Sequence, residues 1–115
     1  MPAVSRPATD PATTVFQALA NPTRRAVLER LGRGPASVGE LAGPFDMALP
    51  SFVQHLRMLE SAGLVRSRKD GRVRTYALAP ERLRDAEGWL ARQRTRWDRR
   101  LDQFDDYVTR LKETR

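Results

Sequence analysis

The chain has no cysteine among its 115 residues and a single histidine, His55. Disulfides, thiol catalysis and thiolate metal sites are therefore excluded, and one imidazole cannot build a His-rich metal site. Carboxylates alone bind a hard cation only weakly, so no metal and no cofactor is expected. No Gly-rich loop is placed to cradle phosphate, and no nucleophile–base set can be assembled, which argues against an enzyme. No apolar run approaches the length of a membrane span or a signal-peptide core, so the expectation is a cytoplasmic protein with no membrane partner. Aromatic residues are few, at 7%, and none interleaves the basic segments, which disfavours a stacking platform for RNA or single strands. Acids are also scarce. Against 14 Asp and Glu stand 21 Lys and Arg, for a net charge of +7. Such a chain expects a polyanion, either nucleic acid or an anionic surface, and has length for one modest core.

Residues 1–9, rich in Pro, Ala, Ser and Thr, read as a disordered arm. Asp10-Pro11 then gives a cap and a first-turn proline, and Val15, Phe16 and Leu19 form the stripe of a helix from Pro11 to Ala20. Asn21-Pro22 repeats the signal for a second helix, with Val27, Leu28 and Leu31 inside and Arg24, Arg25 and Arg30 outside. Gly32 and Gly34 stop it. Ser37 and Glu40 have capping-box spacing ahead of a short third helix carrying Leu41 and Ala42, which Gly43-Pro44 breaks.

The stretch from Met47 to Val65 organises the rest. On a helix from Pro50 to Ala62, Leu49, Phe52, Val53, Leu56 and Leu59 share one side. Ser51, Gln54, His55 and Met58 occupy the other, with Arg57 at its edge and no acid. This polar face is either ordinary solvated surface or a reader of base edges, where Gln suits adenine and Arg suits guanine. A short helix, a turn and a longer helix with such a face is a helix-turn-helix order.

After Gly63 the period becomes alternating. Val65 to Lys69 leads to Asp70-Gly71, a two-residue hairpin signal, and Arg72 to Leu78 returns. Arg66, Arg68, Arg72 and Arg74 stud this ribbon, and Lys69 tips it. Five cations opposed only by Asp70 exceed what protection of a sheet edge requires, so phosphate contact is the better reading. Pro80 then opens a final helix to about Glu113. Leu83, Leu90, Trp97, Phe104 and Leu111 recur every seven residues, joined by Leu101 and Val108, whereas Glu87 and Arg94 interrupt the companion seam. Either a second copy covers this stripe, with the Pro11–Ala20 helix beside it, or the helix folds back on its own domain. Dimerisation is the more economical, because a long bare stripe invites aggregation. The positive excess lies upstream: residues 21–80 hold 10 basic and 5 acidic residues, residues 81–115 hold 10 and 8.

Asn21-Pro22-Thr23-Arg24-Arg25-Ala26-Val27-Leu28, the His55-Leu56-Arg57…Ala62-Gly63-Leu64-Val65 run, and Gly71-Arg72…Arg74…Tyr76 together resemble the ArsR-type winged-helix repressors over about residues 11–80. The long Trp-bearing C-terminal segment is similar to a metal-free branch of that family whose members are often paired with START-like (SRPBCC) proteins. The resemblance implies a homodimer that binds two inverted half-sites on double-stranded DNA and is released by a signal, here an unknown effector. Metal-sensing members carry Cys-x-Cys in the third helix, where this chain reads Glu40-Leu41-Ala42-Gly43, or His and acidic residues on the last helix, which here has no His. Val53 stands where the family pattern commonly has Ser.

These readings combine into a mainly α fold with a β-hairpin wing, a winged helix-turn-helix spanning residues 10–80 and a C-terminal dimerisation helix over 81–115. Ser51, Gln54, His55 and Arg57 are expected at bases or phosphates. Arg68, Lys69, Arg72 and Arg74 are expected on phosphates or in the minor groove, and Arg24 and Arg25 as secondary phosphate contacts. For His55 a neutral hydrogen-bonding role is the competing reading. Phe16, Leu19, Leu90, Trp97, Leu101, Phe104, Val108 and Leu111 are the expected dimer interface. Trp89 and Trp97, which could line a ligand pocket, read better as core or interface. The rival function is a protein-docking module with only non-specific affinity for DNA.

Overall fold

A computed structural model describes residues 10–114; the arm expected over 1–9 lies outside the described residues. The first helix, α1 (Pro11–Leu19), begins where the Asp10 carboxylate accepts from the Thr13 N–H at 2.7 Å. The second, α2 (Pro22–Leu31), begins where the Asn21 side chain accepts from the Arg24 N–H at 3.1 Å. Each cap is followed by a first-turn proline, whose missing N–H costs nothing there. Ser37 and Glu40 form the expected reciprocal capping box at 3.1 and 3.2 Å, opening α3 (Val38–Ala42). Backbone N–H donation holds the Asp10 and Glu40 carboxyls below their ordinary values of 3.8 and 4.5. Both caps are thus fully formed above those values and are released as pH falls through the lowered folded ones.

The longest core-facing helix, α4 (Leu49–Ser61), places Phe52, Leu56 and Leu59 in one buried cluster with Val15 and Ala18 of α1, Val27 and Leu31 of α2, and Leu41 of α3. The Phe45 and Phe52 rings meet at 5.3 Å. Leu49, expected on the buried side, is instead 55% exposed, because it occupies the first helical position, ahead of the turn that meets the core. At the other end the Leu64 N–H donates to the Leu59 carbonyl and the Gly63 N–H to that of Glu60, both at 3.0 Å, a Schellman closure. Gly63 has φ of 75°, and a Cβ there would lie 2.6 Å from Cγ of Arg82. Gly63→Ala is therefore expected to destabilise the fold by about 1–3 kcal/mol, read as a lower denaturant midpoint at unchanged slope.

Three antiparallel strands follow the order β1-β3-β2: β1 (Ala36–Ser37), β2 (Val65–Asp70) and β3 (Val73–Leu78). The two-residue β1, too short to carry a period, pairs Ala36 with Tyr76 and anchors the hairpin to the helices. Asp70 pairs with Val73, so the hairpin loop is Gly71-Arg72 rather than the expected Asp70-Gly71. Gly71 alone takes positive φ, 63°, the pattern of a type II′ turn with glycine first.

A short 3-10 turn (Pro80–Arg82) leads into α5 (Leu83–Glu113), 31 residues and roughly 46 Å long. Its first turns pack on α1: Ala86 is buried, Leu83 lies against the core, and Trp89 meets Phe16 edge-on at 5.6 Å. Among the described residues no helix is long and apolar enough to cross a membrane.

Candidate nucleic-acid interface

On the face of α4 away from the core, Ser51, Gln54, Arg57 and Met58 are exposed and His55 is half-buried. Ala48 at the N-cap offers no side-chain acceptor, so the first backbone N–H groups of α4 point out uncapped. The face carries a hydroxyl, an amide, an imidazole, one guanidinium and no carboxylate, which suits approach to a polyanion.

The wing stands beside the C-terminal end of this helix. Alternation along each strand, together with the observed register, divides its cations between two faces. Arg66 and Arg68 project from one side of the ribbon. Lys69 and Arg74 project from the side that carries buried Tyr76, and Arg72 sits in the turn. Lys69 and Arg74 are direct cross-strand partners, an arrangement that costs free energy unless an anion lies between or near them.

Two side chains that sequence reasoning did not single out join wing to helix. The Ser67 hydroxyl donates to Oε2 of Glu60 at 2.7 Å and accepts from Nη1 of Arg74 at 2.8 Å. Arg74 is thereby drawn back toward the end of α4, leaving Arg68, Lys69 and Arg72 without a hydrogen bond or ion pair among the described residues. Burial pushes the Tyr76 phenol above its ordinary value of 10.0, and the Glu60 carboxylate adds to the shift. Ser67→Ala is expected to weaken duplex binding by a few-fold at most, since all three groups are solvent-screened, with the salt slope unchanged. Titration of a labelled duplex reads both quantities.

Half-buried Arg24 and exposed Arg25 both reach back to the end of α1. Arg24 donates from Nε to the Ala18 carbonyl at 2.7 Å and from Nη2 to that of Gln17 at 2.9 Å, and its Nη1 lies 3.1 Å from Nδ1 of His55. Arg25 donates from Nη1 to the Leu19 carbonyl at 2.8 Å. Both guanidiniums satisfy carbonyls at the C-terminal end of α1, where the helix dipole favours positive charge.

The stripe on α5 divides. Phe16 and Leu19 on α1 are half-buried within the chain. Leu90, Trp97, Leu101, Phe104 and Leu111 are exposed and Val108 partly so, with Trp97, Leu101 and Phe104 each about 60% accessible. Trp89, 41% exposed, closes one side of a shallow depression of about 300 Å³ with Asp10, Ala12, Thr13 and Phe16.

A helix-turn-helix domain family matches residues 19–68. The chain is 48% identical over 68 residues to the HTH-type transcriptional regulator Rv2034 of Mycobacterium tuberculosis, a match covering 59% of this chain and 64% of that protein. It is 33% identical over 76 residues to the transcriptional repressor SdpR of Bacillus subtilis, covering 66% and 84% respectively. A crystal structure of an ArsR family transcriptional regulator superposes with a TM-score of 0.74 at 57% identity, covering 76% of this chain and 91% of that one. An ArsR-like transcriptional regulator from Rhodococcus sp. RHA1 gives 0.69 at 34% identity, covering 82% and 89%. With its capped helices, acid-free α4 face and basic hairpin, the chain belongs to the ArsR family of winged helix-turn-helix DNA-binding transcription regulators.

Proposed function

We propose that the protein is a homodimeric repressor that reads an inverted-repeat operator, with residues 10–80 as the DNA-binding unit and 81–115 as the dimerisation helix. The observation that carries this reading is the juxtaposition of the exposed, acid-free face of α4 with a wing whose Arg68, Lys69 and Arg72 side chains have no partner among the described residues. In this reading α4 enters the major groove with Ser51, Gln54 and His55 nearest the bases and Arg57 at a base edge or phosphate. Arg68, Lys69 and Arg72 hold phosphates or enter the adjacent minor groove, and a phosphate beside the Lys69–Arg74 pair relieves its repulsion. Gln54→Ala is expected to relax preference at one base position per half-site by roughly 1–3 kcal/mol, read by competition among single-substituted duplexes. An equal loss for every sequence would instead make Gln54 a backbone contact.

The exposed stripe from Leu90 to Leu111 supports a second copy as the partner of α5, and charge placement supports an antiparallel pair. Residues 92–100 carry Arg92, Arg94, Arg96, Arg99 and Arg100 against Asp98 alone; residues 101–106 carry Asp102, Asp105 and Asp106 and no base. Side by side in parallel, each stretch opposes its own charge. Antiparallel helices crossing near Leu101 set the arginines along the partner's aspartates. Because the chain has no cysteine, single cysteines report this cleanly. Leu101→Cys is expected to form an intermolecular disulfide readily. Leu111→Cys is expected not to, since ten residues from the crossing leave the two sulfurs about 30 Å apart. Cross-linking of both variants would indicate a parallel pair.

The absence of cysteine and the single histidine support a repressor whose release does not use a thiolate or His-rich metal site. Added Zn(II) at stoichiometric concentration is accordingly expected to leave operator affinity unchanged.

A further inference from the structure

We propose that Arg24 is a positioning residue that acts through His55, fixing the imidazole as an Nε2–H donor on the DNA-facing side of α4. The inference rests on the DNA-reading role of α4 proposed above and assigns Arg24 a task other than phosphate contact.

A guanidinium has only donors, so the nitrogen it meets must accept. Arg24 Nη1 lies 3.1 Å from His55 Nδ1, which assigns the lone pair to Nδ1 and the proton to Nε2. Nε2 has no partner among the described residues, and no buried side-chain nitrogen there is left unsatisfied, so Nε2 reaches solvent. His55 follows Ser51 by one helical turn, on the side of α4 that carries Gln54. The ring thus presents one donor of fixed position, suited to a phosphate oxygen or to the O6 or N7 acceptors of guanine.

Arg24 can hold the ring because its other donors are anchored. Nε and Nη2 bond the Ala18 and Gln17 carbonyls, whose oxygens point out of the last turn of α1, and the Arg24 N–H is itself fixed by Asn21. The guanidinium is therefore a bracket among three helices. A phosphate would have to compete with two short bonds to backbone carbonyls, whereas the imidazole completes the set. Lysine cannot replace it: an ammonium carries the charge but lacks the planar fork that reaches three acceptors in fixed directions.

Arg24→Lys separates the roles. As a positioning residue it is expected to lose about tenfold in affinity for the preferred duplex, with the slope of log affinity against log salt unchanged. In a His55→Ala background the same substitution is expected to cost nothing further. His55→Gln, whose amide overlies Nε2, is expected to bind more tightly than His55→Asn, whose amide overlies Nδ1. Retained affinity in Arg24→Lys, a loss that persists in the His55→Ala background, or Asn outperforming Gln overturns the proposal. A loss caused only by weakened folding persists in that background and is excluded by the same measurement. Independently of DNA, the single histidine makes its ring nitrogens unambiguous in a long-range proton–nitrogen spectrum of the whole protein. The Nε2–H form is expected, with a shift toward mixed forms in Arg24→Lys. An Nδ1–H ring, or a spectrum indifferent to Arg24→Lys, contradicts the bracket itself. A wild-type protein with no sequence preference would sink the DNA-reading role while this spectrum still reported on the bracket.

Discussion

Replacing Leu101 and Phe104 together by glutamate is expected to leave a folded monomer and to lower affinity for a two-half-site duplex by at least about 100-fold. Both side chains are about 60% exposed in the single chain and lie beyond the part of α5 that packs on α1, so the winged unit does not need them. Glutamate is a good helix former, so α5 itself survives the change. The loss is instead one of linkage: two tethered reading heads gain a high effective concentration for the second half-site, and separate heads do not. Sedimentation gives the mass and titration gives the affinity. A variant that stays dimeric would move the interface elsewhere on the chain. One that becomes monomeric at full affinity would detach dimerisation from DNA binding.

The second large effect concerns the wing. Lys69→Ala combined with Arg72→Ala is expected to weaken binding to every duplex, preferred or not, and to reduce the salt slope by about 0.9 for each phosphate contact removed. Two contacts per protomer make four per dimer, a slope change of about 3.6, enough to be unmistakable between 50 and 200 mM salt, on the order of a hundredfold in affinity. Arg74 is left in place because it is turned toward Ser67 and Glu60. A slope unchanged by the double substitution would remove the wing tip from the interface.

Much of the fold is legible in the sequence because its signals are local. Asp10-Pro11, Asn21-Pro22 and the Ser37–Glu40 box each place a helix start, since a cap satisfies backbone donors within three residues of itself. Gly63 ends α4 for a reason equally local, its left-handed φ. The apolar period of α4 fails only at Leu49, where a wheel projection ignores that the helix begins there. The hairpin shows the limit of turn signals. Asp70-Gly71 and Gly71-Arg72 are both acceptable loops, and the pairing of Ser67 with Tyr76 and of β1 with β3 fixes the register.

The site is less legible than the fold. Residue type and periodicity identify the exposed face of α4 and the cation-rich ribbon. They do not reveal that Arg74 bonds Ser67, or that Arg24 spans 31 residues to reach His55. The first depends on the register of the hairpin, the second on where helices lie in space. An arginine read from sequence is a charge in search of an anion; in the folded chain two of them find carbonyl oxygens at the end of α1.

Recovery of duplexes from a random-sequence pool with the full chain at about 150 mM salt separates an operator-reading dimer from a basic docking module. The expected product is an inverted repeat with half-sites about one helical turn apart, bound by one dimer. Recovery of duplexes without a common sequence, retained only at low salt, would contradict it and leave a basic winged helix whose partner is another protein.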